Sequence, residues 1–374
     1  MIIIAEPNFG SHDHAPVNVS LLWAVSLAFP DEEILLAATV EHCYHMESCA
    51  PFPKNVRVAN IEIARPDEGR LRRLYRRWVA FHRLRWPQHV RAILLLSSGP
   101  ETFFIARLLA DIFRDSSVFI VLHGNVVDAF GRRSPYLCHR LIDYQSGLRV
   151  SRHKRVKLIV LEEYIWEEIK EMGAAIADRL LIWPHPISSY EICTVPRGLP
   201  EGGKIRLAYV GAASRGKGFS VFLELANSWP RFDYEFSVIG HVYESFTRAE
   251  LGCVQLPEKA LDRSDYVRRL RNIDYALMPF DRAVYNFTAS GSFLDCIAQL
   301  KPLITTDAPP ISKAVAEFGE IGVICRNIEE IRSTKTNASL RDPLKYTLFQ
   351  QNLQKIRDTR LPHVLSNRIR ESMS

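Results

Sequence analysis

Cysteine is sparse in this chain, and nothing in its spacing suggests pairing. The seven residues, Cys43, Cys49, Cys138, Cys193, Cys253, Cys296 and Cys325, are scattered, odd in number and contain no C-x-x-C. That fits free thiols in a reducing cytoplasm rather than a disulfide framework. Long apolar runs are missing as well. The cleanest, residues 20–30, is well short of the roughly 20 residues needed to span a bilayer. The opening MIIIAEPNFG lacks a basic n-region and its apolar run ends at Glu6, so no signal peptide is expected. No G-x-G-x-x-G, no G-x-x-x-x-G-K-[ST] and no G-x-S-x-G occurs. The dinucleotide fingerprint, the P-loop and the nucleophile elbow therefore have no support. Acidic residues are absent from the whole of residues 69–100.

What is present describes a globular protein of ordinary composition. Its 374 residues, 47% apolar and 24% charged, exceed one ordinary core and suit two domains. Continuous apolar runs bounded by turn residues, such as Ile2-Ile3-Ile4-Ala5 and Val118-Phe119-Ile120-Val121-Leu122, read as buried parallel strands. They alternate with helical patterns as far as residue 190. Residues 191–204, with Pro196, Gly198, Pro200, Gly202 and Gly203, read as a linker. The alternation restarts at 205 and runs to about 340. An amphipathic tail, 341–374, is expected to be helical and able to cross back to the first domain. The expected fold is α/β, with two Rossmann-like βα domains whose strand-end loops hold the ligands.

The net charge of +6 is concentrated. Eight arginines lie between Arg70 and Arg91: those two, Arg72, Arg73, Arg76, Arg77, Arg83 and Arg85. With Leu71, Leu74, Tyr75, Trp78 and Phe81 at helical spacing, this predicts a basic amphipathic helix carrying aromatic anchors. Such a helix suits an anionic membrane surface, and residues 149–157 add a second basic cluster. A solvated surface helix packed on its domain is the plainer alternative. Nucleic acid is the third, but no nucleic-acid-binding module accompanies the charge, so no nucleic-acid partner is expected. The expected location is cytoplasmic, peripheral on the inner face of the membrane.

Residues 285–306, YNFTASGSFLDCIAQLKPLITT, organise the second domain. Ala289-Ser290-Gly291-Ser292 opens an apolar helix with bare amides, Asp295 follows one turn in, and Lys301-Pro302 ends it. A helix start of this kind is a ready anion site. A second strand-to-helix turn, Gly211-Ala212-Ala213-Ser214-Arg215-Gly216-Lys217-Gly218, offers flexible backbone and two cations for a diphosphate.

Together these features resemble the GT-B glycosyltransferases, most closely the large retaining class that uses nucleotide sugars (glycosyl transferases group 1). Val210-Gly211 with Lys217-Gly218, Met278-Pro279, Ser290-Gly291-Ser292, Asp295 and Lys301-Pro302-Leu303-Ile304 are similar to that family's C-terminal domain. The likeness is looser in the N-terminal domain, through Gly10, Asn18 and His123-Gly124. It implies a glycosyl group moved from a nucleotide diphosphate to an acceptor hydroxyl, a hexosyltransferase type of reaction needing no metal and no further cofactor. The acceptor expected is lipid-linked or polysaccharide-building.

By that resemblance the donor contacts are Gly211, Arg215, Lys217, Tyr285, Ser290, Gly291, Ser292 and Asp295, the last at the ribose. The N-terminal domain takes the acceptor, with Gly10, His14 and Asn18 as contacts, and His123 faces the donor sugar. Arg215 and Lys217 stabilise the leaving group. If the reaction inverts, Asp13, His14 or Asp128 is the candidate base. The family places glutamates eight positions apart; here Asp295 stands for the second and Phe287 falls at the first. Tyr285, Asn286 or Thr288 could take over part of that contact. A sugar-nucleotide epimerase of the same fold, or a silent fold-alike that binds nucleotide sugar or a partner enzyme, are the alternatives. His12-Asp13-His14, or His42 with His45, has too few ligands at fitting spacing for a metal site, so none is expected.

Overall fold

A computed structural model describes the chain except for residues 65–66, 85–88, 124–139, 172–173, 260, 281–284, 286, 335–336 and 374. It divides into two compact units. The first comprises Met1–Tyr190 with Phe287–Ala289 and Arg360–Ser374; the second comprises Glu191–Asn286 and Ser290–Thr359.

In the first unit the order is β1 (Ile2–Ala5), α1 (Ala15–Ala28), β2 (Ile34–Ala38), α2 (Val40–Cys49), β3 (Val56–Asn60), α3 (Arg70–His82) and β4 (Ala92–Leu95). Then come α4 (Pro100–Ile112), β5 (Ser117–Leu122), α5 (Tyr144–Val150), β6 (Val156–Val160), α6 (Glu163–Lys170), α7 (Ala174–Ala177) and β7 (Leu180–Ile182). The seven strands lie in the order β3-β2-β1-β4-β5-β6-β7, every pairing parallel. The apolar runs are continuous because helices cover both faces. Ile3, Ala5, Leu35 and Ala37 enter one core, while Ile2, Ile4, Ile34 and Leu36 enter the other. Each isoleucine or leucine among them contributes about 1.5–3 kcal/mol on burial. Strand β3 is an edge and loses that continuity; its VRVAN is largely exposed.

Helix α3 forms where the arginine-rich pattern predicts, but its arginines do not make one open basic face. Arg77 is buried and paired with Glu101 of α4 at 2.7 Å, and its Nε donates to the Pro7 carbonyl. Arg73 joins the same carboxylate at 2.9 Å. Arg76 pairs with Glu68, Arg70 donates to the Ile142 carbonyl, and Arg91 pairs with Glu32. Arg72 and Arg83 are exposed, with no ion pair among the described residues. The expected apolar stripe also splits: Phe81 is buried, Leu74 and Trp78 pack on the core, and Leu71 and Tyr75 point outward, 74% and 67% exposed. Helical spacing could not reveal that a carboxylate from α4 lies under this helix.

The second unit runs β8 (Ile205–Val210), a 3₁₀ turn (Arg215–Lys217), α8 (Phe219–Ser228), β9 (Tyr234–Ile239), α9 (Arg248–Leu251), α10 (Arg263–Asn272) and β10 (Tyr275–Met278). It continues with α11 (Gly291–Ala298), β11 (Leu303–Thr306), α12 (Pro309–Phe318), β12 (Gly322–Cys325), α13 (Ile328–Ser333) and α14 (Pro343–Asp358). Its five strands are again all parallel, in the order β12-β11-β10-β8-β9. An aromatic-rich core of Tyr209, Phe219, Phe222, Phe236, Tyr275, Tyr346 and Phe349 fills one side. The C-terminal tail forms two helices. Asp342 caps α14 by accepting from the amides of Leu344 and Lys345, with Pro343 at the first turn. The last helix, α15 (Pro362–Met373), belongs to the first unit, where Leu365, Ile369 and Met373 join the core beside α1.

Candidate active site

In the second unit the glycine turn after β8 and the small-residue helix start after β10 meet at the carboxyl ends of these adjacent strands. Ser290 caps α11, its side chain accepting from the Phe293 amide at 3.2 Å, and Leu294 N–H bonds the Ser290 carbonyl. Among the described residues the helix-start amides left without a partner are therefore those of Gly291, which is exposed, and Ser292, which is half-exposed. Gly211 lies directly against them. A Cβ on Gly211 would sit 1.9 Å from Ser292 Oγ, at a φ of +101°. Gly218, at φ +80°, brings the same turn onto the strand end of β10, where a Cβ would meet the Pro279 carbonyl oxygen at 2.4 Å. Only glycine satisfies both the backbone angle and the approach. Tyr209 Oη donates to the Lys217 carbonyl at 2.8 Å and fixes the turn from below. Tyr285 is buried, packed on Phe280 at 4.2 Å between ring centroids, and burial pushes its phenol up to about 12.

The two cations of the turn differ in environment. Arg215 is held by Glu244 at 3.3 Å and Glu250 at 2.9 Å, and its guanidinium lies over the Phe246 ring. Its charge is already balanced. Lys217 is exposed and has no ion pair among the described residues. Asp295 faces α10, where Arg263 Nη2 reaches Oδ1 at 2.7 Å and Tyr266 Oη donates to Oδ2 at 2.8 Å.

In the first unit the strand-end loops gather a different chemistry. Glu6, directly after β1, is fully buried. It accepts from the amides of Asn8 and Phe9, from Asn18 Nδ2 at 3.0 Å and from Ser97 Oγ. Burial raises its pKa, against those hydrogen bonds. Asn18 also donates to His42 Nε2 at 3.0 Å, and His42 Nδ1 donates to the Ser11 carbonyl at 2.6 Å. Asn18 reaches no solvent, so its amide serves this interior network. His14 takes a left-handed φ of 61° at the head of α1, its ring between Phe9 (4.4 Å) and His123 (4.2 Å). Such a backbone angle in a non-glycine residue stores about 1–3 kcal/mol. His123 is buried and donates Nε2–H to the Leu96 carbonyl at 2.8 Å. Burial lowers all three imidazoles here: His123 to about 4, His185 to about 3, and His14 well below the usual value. Each is a neutral imidazole at pH 7. Asp13 is exposed and lies 3.9 Å from His12, and the Gly10 carbonyl accepts from Thr39 Oγ1.

Asn286, Asp128 and Gly124 lie outside the described residues. Phe287, where the family's first acidic residue falls, packs against the core of the first unit, and the Thr288 carbonyl accepts from Tyr164 Oη at 3.0 Å. Glu6, His185, Arg263 and Tyr266 were not marked as site residues in the sequence, and His42 was weighed there only as a metal ligand with His45. Glu6 follows directly on strand β1 and His185 lies three residues beyond the end of β7, so position near a strand's carboxyl end was the signal available for them. Nothing local distinguishes Arg263 from its neighbours Arg268, Arg269 and Arg271. Among the described residues no three His, Cys, Asp or Glu side chains converge as metal ligands.

Two all-parallel sheets, each with its polar loops at the carboxyl ends, define two Rossmann-like domains, and the fold is that of the GT-B glycosyltransferases. No protein-family model and no curated protein matches the sequence. Solved structures do match over the full chain. Sucrose-phosphate synthase from Thermosynechococcus elongatus superposes with a TM-score of 0.71 at 13% identity, covering 100% of this chain and 98% of its own. HepE from Anabaena, in complex with UDP-glucose, gives 0.66 at 14% identity, covering 100% and 99%. WaaG, a glycosyltransferase involved in lipopolysaccharide biosynthesis, gives 0.65 at 13% identity, with 100% of both chains covered. At these identities the likeness is one of fold.

Proposed function

We propose that this protein is a glycosyltransferase that moves a sugar from a nucleoside-diphosphate sugar to an acceptor hydroxyl. The observation that carries the reading is the start of α11, where the Gly291 and Ser292 amides are uncovered with Gly211 packed against Ser292. As the anomeric bond breaks, negative charge builds on the diphosphate. Oriented amides and the helix dipole oppose that charge without reorganising. Lys217 supplies the mobile cation, and Arg215, already paired with Glu244 and Glu250, holds the turn. In this reading the leaving-group charge is met by these groups rather than by a metal. His14 and His123, neutral at pH 7, are the groups able to accept a proton from an acceptor hydroxyl; His123 already donates its one N–H to the Leu96 carbonyl, so it acts as an acceptor through Nδ1. Asp13, exposed beside His12, is the alternative base. Gly10 lies in the same loop.

The acceptor we propose is lipid-linked or polysaccharide-building, met at an anionic membrane surface. Arg72, Tyr75, Val79 and Arg83, spaced by three or four residues along α3 and its cap, share a face with Leu71 beside it. No helix among the described residues is long and apolar enough to cross a membrane, so the association would be peripheral. Phe287 in place of a carboxylate supports one second reading, a protein that binds nucleotide sugar without transferring it.

A nucleotide-sugar panel with product detection, run with and without an anionic lipid extract, tests both. Release of nucleoside diphosphate is the expected result, and the variant Lys217→Ala should slow it by about 10²-fold, the scale of losing one charge-stabilising donor. Binding without release supports the silent reading. Absence of any binding overturns both.

A further inference from the structure

Asp295 is one member of a partly buried four-residue cluster within the second unit. Arg263, at the first position of α10, forms a two-pronged pair with Glu191, Nε to Oε1 and Nη2 to Oε2, each at 2.7 Å. The same Nη2 reaches Asp295 Oδ1 at 2.7 Å. Tyr266, one turn along α10, donates its hydroxyl to Asp295 Oδ2 at 2.8 Å, and the guanidinium lies over its ring. Burial beside the carboxylate pushes the Tyr266 phenol well above its usual range, so it stays a donor. One guanidinium between two carboxylates leaves one net negative charge. Asp295 keeps about a fifth of its side chain exposed, at 19%, while Glu191 is more enclosed at 10%. Among the described residues each Asp295 side-chain oxygen accepts one hydrogen bond, where a carboxylate oxygen can accept two. The cluster thus presents an acceptor pair of fixed orientation one turn from the amides of Gly291 and Ser292.

We propose that Arg263 and Tyr266 are positioning residues for Asp295, locking its carboxylate so that the second lone pairs of its two oxygens select a vicinal diol, the ribose of the nucleotide. This rests on the donor-site reading above. An aspartate has two side-chain torsions, and unsupported it would sample orientations that cannot meet both hydroxyls. The bonds from Arg263 and Tyr266 remove that freedom before the ligand arrives, and such preorganisation is expressed as selectivity. A purely structural role would alter the affinity for every nucleotide alike. A positioning role alters the discrimination between ribose and its deoxy analogues.

The test is calorimetric titration of the intact protein with the uridine, guanosine and adenosine diphosphates, then with the 2′-deoxy and 3′-deoxy forms of whichever binds best. Wild-type protein should favour the ribonucleotide by about tenfold, the scale of one hydrogen bond to a charged group. Tyr266→Phe and Arg263→Lys should reduce that ratio to about two- or threefold, with affinity for the deoxy forms nearly unchanged. Tyr266→Phe alone decides the matter if Arg263→Lys does not fold, because it keeps the ring and removes only the donor. An unchanged ratio in the folded variant overturns the positioning role and leaves the donor site standing. If the wild type binds no nucleoside diphosphate, the donor-site reading fails together with this one.

Discussion

The approach of Gly211 to Ser292 ties the architecture of the proposed donor site to a measurable free energy. In Gly211→Ala a Cβ would appear 1.9 Å from Ser292 Oγ and 3.1 Å from Ser292 Cβ, on a backbone held at φ +101°. A positive φ with a side chain attached costs about 1–2 kcal/mol. Rotating the hydroxyl away relieves the shorter contact but not the one to Cβ, so a further 1–3 kcal/mol of overpacking is expected. The sum is about 2–5 kcal/mol, large for one methyl group. Ser292→Gly removes both opposing atoms and by itself costs about 1 kcal/mol at most. In the double variant the steric part should vanish and the backbone part remain, giving a coupling of about 1–3 kcal/mol from a double-mutant cycle. The assay is urea unfolding of the four proteins, comparing midpoints at constant m. If Gly211→Ala costs the same with Ser292 as without it, the two residues are not in contact and this assembly of the site is wrong.

Two further outcomes follow from the first unit. The neutral imidazoles of His123 and His185 make acid unfolding steep. Their folded pKa values, about 4 and about 3, lie below the unfolded value of 6.5, so the unfolded chain takes up protons that the folded one refuses. That stability is fully present above about pH 6.5 and is lost as pH falls, by about 3 kcal/mol for His123 at pH 4. Glu6, whose pKa is raised, acts in the opposite direction, but it cancels in the difference between wild type and His123→Gln. Urea midpoints from pH 7 to 4.5 should therefore fall less in the variant, and parallel curves would refute the assignment. The α3 arginines should separate into two groups. Arg77→Met leaves Glu101 to Arg73 alone and the Pro7 carbonyl without its donor, and should cost about 1.5–3 kcal/mol in thermal or urea unfolding. Replacing Arg72 and Arg83 with Glu should change stability by under about 1 kcal/mol while abolishing sedimentation with anionic vesicles; retained vesicle binding would sink the membrane reading.

The sequence alone determined the architecture because burial on both faces leaves a plain mark. Ile2-Ile3-Ile4-Ala5 and the later apolar runs could hardly be other than covered parallel strands, and their alternation with helical periods dictates two βα domains. The helix start at Ser290-Gly291-Ser292 and the glycine turn after β8 were legible for the same local reason: small residues at a strand end leave amides open. Tertiary structure decided what each charge is for. Arg215 and Lys217 are equivalent in the sequence, yet Glu244 and Glu250 balance only the first. Arg73 and Arg77 belong to the same basic run as Arg72, yet Glu101 draws them inward. Asp295 carries its partners on α10, some 30 positions upstream, and Asn18 is enclosed by Glu6 and His42. Local patterning records which face of an element is buried. Which charges meet depends on side chains distant in sequence, and only the folded chain brings them within reach of one another.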